Sequence, residues 1–319
     1  MKNKFFTLFS STKGVRGKHR GAFYILDEGR TELVPNEMII IAELLQNFSI
    51  YECAQKVDSE DVFEEYLNFM VEKKIGFITS QPERFATIDN IYEVPSRIFI
   101  SNIEYSQNSQ YDLRSFIQEL SDNLCKHVEL RLYFESIETG DLERIFRYFD
   151  GTTIRSINVY LSRYSNEDLN QLRNLLKKYR KISSFIIFSQ VMERREASIS
   201  FKSSNIEEFD RKPYSKDVLQ INHHYYTQCQ SNNPFYFKKV SIDRAGFLKN
   251  NLIDEANYGL YKSGHNVLTR LTKNPTFTRF WYVKPDLIEN IKDSELRYAM
   301  FLTNELIEDN GKYYFANNK

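Results

Sequence analysis

Arg97-Ile98-Phe99-Ile100-Ser101-Asn102-Ile103-Glu104-Tyr105 reads as a strand, and Asp112–Leu124 after it sets Leu113, Phe116, Ile117 and Leu120 on one helical face. The pairing repeats along the chain. His127–Phe134 is a strand and Asp141–Phe149 a helix; Ser156–Leu161 is a strand and Glu167–Tyr179 a helix; Ser183–Ser189 is the fourth strand. Repeated βα units imply parallel strands with right-handed crossovers. Four units make half of a (β/α)8 barrel or an open, partial one. The expected class is α/β, with this partial (βα) barrel over residues 94–195.

Upstream, residues 1–93 follow a different pattern. Phe5–Phe9, Ala22–Leu26 and Thr31–Val34 read as strands, the last after the turn Asp27-Glu28-Gly29. Pro35 opens a helix carrying Met38, Ile41, Leu44 and Leu45, because a missing N–H costs nothing in a first turn. Ile50–Val57 is a short second helix. Asp58 or Ser59 caps a third, with Val62, Phe63, Tyr66, Leu67, Met70 and Val71 along one face. Gly76 ends it and Phe77-Ile78-Thr79 returns as a strand. This is the pattern of a winged-helix module, which binds DNA or peptides. Glu60, Asp61, Glu64, Glu65 and Glu72 on the third helix, against Lys73 and Lys74, would repel phosphate, so peptide is favoured.

Downstream, residues 196–319 are less regular. Phe235–Ile242, a turn at Arg244-Ala245-Gly246 and Phe247–Lys249 predict a β-hairpin. Asn266–Thr272, Pro275–Trp281, Pro285–Ile291 and Ser294–Leu306 predict helices, and Lys312–Phe315 a closing strand.

Charge and cysteine usage narrow the function classes. Lys plus Arg equals Asp plus Glu at 43 each, so no global field holds a nucleic-acid backbone. No apolar run of about 18 residues exists to span a membrane, and Met1–Phe9 is too short an apolar stretch for a secretory signal. The expected address is the cytoplasm. The three cysteines, Cys53, Cys125 and Cys229, are too far apart for a disulfide framework or a metal knuckle.

Two stretches of the last third carry a family likeness. Ser241-Ile242-Asp243-Arg244-Ala245-Gly246-Phe247-Leu248-Lys249-Asn250-Asn251 resembles the hairpin opening a SPASM domain, the auxiliary iron–sulfur module of radical-SAM peptide maturases. In that family a Cys stands five residues after the hairpin glycine; here that place is Asn251. Ile291-Lys292-Asp293-Ser294-Glu295-Leu296-Arg297-Tyr298-Ala299-Met300 is similar to the family's C-x2-C-x5-C segment. It keeps Lys292, Asp293, Glu295, Arg297 and Tyr298 but has Ile291, Ser294 and Met300 at the cysteine places. Cys229 alone stands near a family cysteine place. The resemblance extends over nearly the whole chain, to the SPASM proteins paired with ATP-grasp ligases in grasp-with-spasm systems, with a PqqD-like leader-recognition element at the N-terminus. It makes this chain a degenerate member with a SPASM-like domain that lacks its cluster cysteines. One thiolate cannot hold a [4Fe–4S] cluster, and Ile103–Ser109, after the first barrel strand, lacks the radical-SAM C-x3-C-x2-C.

The resemblance implies a pseudoenzyme without metal or cofactor. It would bind a ribosomal precursor peptide and present it to an ATP-grasp ligase or another maturase. The peptide would add as a strand beside Thr31, Glu32, Leu33 and Val34 and pack on the third helix, with Phe63, Tyr66, Leu67 and Met70 as candidate anchors, some of them core. A metal-independent peptide-modifying enzyme and a winged-helix DNA-binding regulator are the alternatives. Other constellations are weaker. His223, His224, Cys229 and His265 match no structural zinc spacing. Lys13-Gly14-Val15-Arg16-Gly17-Lys18-His19-Arg20 is not a Walker loop; it reads as a solvated hairpin connection, or as a contact for an acidic peptide or partner. Glu135, Glu138 and Asp141 follow the second barrel strand, where chemistry sits in barrels, though Asp141 suits a helix start. Phe277, Phe280, Trp281 and Tyr282 read as core or interface.

Overall fold

Six parallel strands form the frame of the molecule. In this computed structural model, which describes residues 4–85, 91–135, 137–164, 169–208, 218–264 and 266–316, the N-terminal elements are β1 (Phe5–Leu8), β2 (Thr12–Arg16), β3 (Gly21–Ile25), β4 (Arg30–Val34), α1 (Asn36–Leu45), α2 (Ile50–Ala54), α3 (Glu60–Glu72) and β5 (Gly76–Thr79). The βα alternation follows as β6 (Ile100–Ser106), α4 (Leu113–Asp122), β7 (His127–Tyr133), α5 (Thr139–Phe146), β8 (Ser156–Leu161), α6 (Leu169–Lys178) and β9 (Ile182–Ile187). The remainder comprises β10 (Arg194–Glu196), β11 (Ile199–Phe201), α7 (His223–Cys229), β12 (Lys239–Ile242), β13 (Leu248–Lys249), α8 (Val267–Leu271), α9 (Pro275–Thr278), β14 (Leu306–Asp309) and β15 (Lys312–Phe315).

The main sheet has the order β10-β11-β9-β8-β7-β6-β12-β13, and every pair from β11 to β12 is parallel. It does not close on itself, as expected for an open, partial barrel. It also runs past residue 195, since β11 pairs with β9 and β12 with β6. Alternation sorts the side chains. Ile103 on β6, Val128, Leu130 and Leu132 on β7, and Ile157, Val159 and Leu161 on β8 pack with Phe116, Ile117, Leu120, Leu142 and Ile145 of the helices. Asp112 caps α4, accepting from Arg114 N–H at 3.0 Å. Buried Glu119 holds α8 against α4 by accepting from Tyr261 Oη at 3.1 Å and Leu268 N–H at 2.9 Å.

The N-terminal module places β2-β3-β4 in one antiparallel sheet and β1-β5 in a second. Ser59, one of the two expected caps, starts α3 by accepting from Val62 N–H at 3.4 Å. The sheet is buried on both faces. Phe23, Ile25 and Val34 meet α1 and α3 in one cluster, and Val15, Ala22, Tyr24 and Leu26 meet Tyr225, Tyr226, Cys229, Tyr298 and Ala299 of the C-terminal third in another.

Four local expectations change. Lys13–Arg20 is not merely a solvated connection: Thr12–Arg16 is strand β2, with Thr12 and Val15 buried, and the turn after it lies against the C-terminal third. Gly76 does not end α3; it opens β5, where a Cβ would overlap the Phe6 ring and the Thr7 carbonyl. Pro285–Ile291 forms only a 3-10 turn at Pro285–Leu287. Ser294–Leu306 is not a helix. Residues 291–300 wind through short local bonds, Ser294 N–H to Ile291 C=O (2.9 Å) and Ala299 N–H to Leu296 C=O (2.8 Å), and Leu306 already belongs to β14.

That wound segment is the docking point of the N-terminal module. Arg20 Nε donates to Glu295 Oε1 at 2.7 Å, Tyr24 Oη to the Glu295 carbonyl at 2.8 Å, and Arg297 Nη1 to the Arg16 carbonyl at 2.8 Å. Lys18 N–H donates to the Asp293 carbonyl at 2.8 Å. Gly17 permits the approach, since a Cβ there would stand 2.7 Å from the Glu295 nitrogen. Gly17→Val is therefore expected to raise hydrogen exchange in residues 16–26 and 293–299 together, at least tenfold, while β6–β9 stay protected. Unchanged exchange in either segment would mean that the contact does not hold the module.

Candidate functional site

The alternation that buries one face of the main sheet leaves polar residues on the other. On β7, His127, Glu129, Arg131 and Tyr133 alternate with three buried aliphatics. Asn102 and Glu104 on β6, Asn158 and Tyr160 on β8, and Lys239 on β12 continue the same face across the sheet. A parallel sheet covered by helices on both sides would carry near-continuous apolar strands. This one is covered by helices on one side and faces a cavity on the other.

The cavity encloses about 700 Å3. Its floor is Asn102, Glu129, Arg131 and Lys239; its walls come from the C-terminal third, chiefly Phe235, Leu252, Ile253 and Phe301. Tyr225 Oη donates to the Met300 carbonyl at 2.5 Å and fixes the 300–303 wall. Arg131, with a side chain 3% exposed, lies 3.3 Å from Glu129 and 5.6 Å from the Tyr160 ring centroid. Lys239 Nζ donates to Asn251 Oδ1 at 2.8 Å and sits 4.1 Å over the Phe235 ring. A smaller lobe of about 330 Å3 shares Arg131, Leu252 and Ile253 and ends at Glu104, Tyr133 and Arg244. There, Tyr133 Oη donates to Glu104 Oε1 at 2.9 Å and Arg244 covers the Tyr133 ring at 4.2 Å. Burial pushes the Glu104 carboxyl up, against the pull of Tyr133, Arg131 and Arg244.

Beneath the wall, Asp254 accepts from Tyr236 Oη at 2.8 Å and from Asn251 N–H at 2.9 Å. Burial nevertheless raises its pKa from 3.8 to about 6. A carboxyl raised in the folded state binds a proton that the unfolded chain has already released. Its contribution is therefore present below the unfolded value and lost as pH rises through about 6. The stability difference between Asp254→Asn and the parent, measured by denaturant unfolding, should move in favour of the variant by about 1–3 kcal/mol between pH 4 and pH 7. A pH-independent difference would place the Asp254 carboxyl near its ordinary value.

The expected peptide residues divide by burial. Phe63 (2% exposed), Leu67 (8%) and Met70 (0%) lie inside the module core, and Tyr66 is half-buried at its margin. Thr31, Glu32, Leu33 and Val34 form β4, an edge strand. Leu26 N–H donates to the Ser11 carbonyl on the β2 side. Alternation then commits Arg30, Glu32 and Val34 to β3, so Thr31 and Leu33 carry the outward amides. Leu33 is 44% exposed. Arg30 Nη2 donates to the Lys73 carbonyl at 2.9 Å and ties β4 to the end of α3.

Asn251 lines the cavity, Ile291 and Met300 are buried in the main core, and Ser294 accepts from Leu296 N–H at 3.1 Å. Cys53, Cys125 and Cys229 are buried in three separate clusters. Among the described residues, no three His, Cys, Asp or Glu side chains converge as a metal site. His223 pairs with Asp27 at 2.8 Å and His224 with Tyr92 at 3.1 Å, while His265 lies outside the described residues. Glu135 and Glu138 are exposed, and Asp141 sits in the first turn of α5, 3.2 Å from Arg144. Phe277, Phe280 and Trp281 are core, whereas Tyr282 is 62% exposed. No helix of the described residues is long and apolar enough to cross a membrane.

The floor residues Asn102, Glu129, Arg131 and Lys239 were not singled out from the sequence. Their signal is the alternation His127-Val128-Glu129-Leu130-Arg131-Leu132-Tyr133.

No known family profile matches the chain. No curated protein matches it. Five chains of known structure do. One is the crystal structure of Streptococcus suis SuiB bound to S-adenosylmethionine, similar over 86% of this chain and 89% of that chain, at 10% identity and a TM-score of 0.27.

Proposed function

We propose that this protein binds a ribosomal precursor peptide and presents it to a modifying enzyme, by the family resemblance an ATP-grasp ligase, without radical-SAM chemistry. The observation that carries the reading is the open edge of β4, where Thr31 and Leu33 hold outward backbone amides beside α3. An extended peptide gains affinity from such an edge through main-chain hydrogen bonds and selectivity from alternate side chains. The acidic surface of α3, with Glu60, Asp61, Glu64, Glu65 and Glu72, favours a basic segment and disfavours phosphate. Partly buried Tyr66 and exposed Leu33 supply apolar contact; Phe63, Leu67 and Met70 support the groove from within.

The test is titration of a labelled precursor peptide. Leu33→Pro removes one outward N–H while sparing the bonds to β3, as edge prolines do, and should weaken binding at least tenfold, with Leu33→Ala weakening it less. Glu64→Lys with Glu65→Lys should weaken a basic peptide by a further factor of about ten and reverse the salt dependence. Affinity untouched by all of these substitutions removes the β4 groove. DNA binding that falls steeply with salt would favour the winged-helix regulator instead.

One observation favours a second reading, a metal-independent enzyme acting on the peptide. Glu104, raised by burial and bonded to Tyr133, ends the smaller lobe as an acid–base pair in reach of a ligand. It requires a mass change in the peptide from this protein alone, abolished by Glu104→Gln.

A further inference from the structure

The main sheet presents a row of cations at the end where its strands begin. Lys239, Ile100, His127 and Ser156 are level across β12, β6, β7 and β8. One residue earlier stand Lys238, Phe99, Lys126 and Arg155, and Lys181 comes just before β9. Lys238 Nζ donates to the Val94 carbonyl at 2.8 Å and Lys181 Nζ to the Phe149 carbonyl at 2.6 Å, with Asp150 near enough to Lys181 to act on its charge. The middle of the row is different. Among the described residues, Lys126, Arg155 and Arg97, two residues ahead of Phe99, form no ion pair. Burial, and then the charges of His224, Arg155 and Lys126, all push the His127 pKa down.

An exposed leucine lies among these cations. α4 ends in a turn in which Cys125 N–H donates to the Leu120 carbonyl at 3.0 Å and Leu124 N–H to the Ser121 carbonyl at 2.9 Å. Leu124 takes the left-handed position (φ 62°) that such a turn ordinarily gives to glycine, yet the residue is 40% exposed. Its carbonyl accepts from Ser96 Oγ at 2.7 Å, and Arg97 N–H donates to the Asn123 carbonyl at 3.1 Å, so Arg97 stands beside it. A large apolar side chain held in strained backbone and left part-exposed points to a contact outside its own chain.

The complement to this rim is on the same chain. α3 buries Phe63, Leu67 and Met70, and Asp61, Glu65, Asn68 and Glu72 recur at helical spacing along the opposite face, all exposed. Among the described residues, Asp61, Glu65 and Glu72 form no ion pair. Asp61 to Glu72 spans about 17 Å at about 1.5 Å per residue. The row from Lys238 to Lys181 crosses four strand intervals, about 19 Å at about 4.8 Å each. Val62, 41% exposed, borders the acidic line as Leu124 borders the cations. Basic and acidic residues number 43 each, so two copies carry no net repulsion.

We propose that the rim formed by Arg97, Leu124, Lys126 and Arg155 docks α3 of a second copy of this chain, joining copies head to tail. Such a contact is heterologous: it leaves α3 of one copy and the rim of the other free, and it repeats until a ring closes. Opposite charges set the orientation and speed the encounter, and Leu124 with Val62 supplies the apolar contact. The inference goes beyond the peptide reading and does not rest on it.

The experiment is sedimentation velocity of the full chain over a range of concentrations, at about 50 mM and about 500 mM salt. No peptide is present, so failure here and failure of the peptide reading are separate results. At low salt the weight-average mass should rise with concentration above that of one chain, and at high salt the association should weaken about tenfold or more. Lys126→Glu with Arg155→Glu, and separately Glu65→Lys with Glu72→Lys, should each be monomeric, because each then carries one sign of charge on both surfaces. Mixed in equal amounts, the two variants should associate again, because every rim then meets an α3 of opposite sign. Should the change at Lys126 unsettle β7, Arg97→Glu with Arg155→Glu, both at exposed positions, takes its place. A monomer at low salt, association unchanged in either reversed pair, or no recovery in the mixture would overturn the proposal. A monomeric chain that binds duplex DNA, with binding lost in the rim variant, would give these cations to a phosphate backbone and overturn it as well.

Discussion

An open parallel sheet with helices on one side must cover its other face, and the rest of the molecule is arranged to meet that demand. The inner face of β6, β7, β8 and β12 holds Asn102, Glu104, Glu129, Arg131, Tyr160 and Lys239, which bare solvent would satisfy but an apolar cover would strand. The C-terminal third resolves this by covering the face at a distance. Residues around Phe235, Leu252 and Phe301 arch over the strands and leave a lined hollow. Arg131 is kept at Glu129 and Lys239 at Asn251, so the cations are withdrawn from water with partners in place, as burial of charge requires.

Docking of the N-terminal module draws on the same third of the chain. The stretch Ile291–Met300 carries Lys292, Asp293, Glu295, Arg297 and Tyr298. In the structure the Asp293 carbonyl receives Lys18, Glu295 receives Arg20 and Tyr24, and Arg297 spans Asp286 and the Arg16 carbonyl. Tyr298 donates to Asp286 at 2.6 Å and packs against Tyr226. The Glu295, Arg297 and Tyr298 side chains thus have structural work in this region, while Asp293 contributes its main-chain carbonyl. The basic run ending at Arg20, read from sequence as a contact for an acidic partner or as a solvated turn, finds its acidic partner within the same chain.

The sequence was most legible where one period dominated. The four strands and three helices of the βα alternation, the three N-terminal helices and the hairpin after Ile242 rest on amphipathic spacing or turn residues, and they stand within a few residues of expectation. It was least legible where neighbours distant in sequence decide the conformation. Thr12–Arg16 has one apolar residue, Val15, and becomes a strand because β3 lies beside it. Ser294–Leu306 has helical spacing but is wound into turns that serve the docking contact. The anchors on α3 illustrate the same gap: one helical face cannot tell core from groove, and Phe63, Leu67 and Met70 fell to the core. The cavity floor was visible as alternation in β7, but a strand pattern gives no sign of what stands above it.

The position of β12 in the sheet has a consequence for synthesis. Ile100 of β6 pairs with Lys239, so the inner edge of β6 has no partner until most of the chain has left the ribosome. At about 5–20 residues per second, that edge stays open for roughly 7–30 s after β6 emerges. Pairings so remote in sequence are slow to close, and an unpaired strand is a template for other chains. Nascent chains of this protein thus carry, for that interval, an unpaired strand that the finished fold conceals.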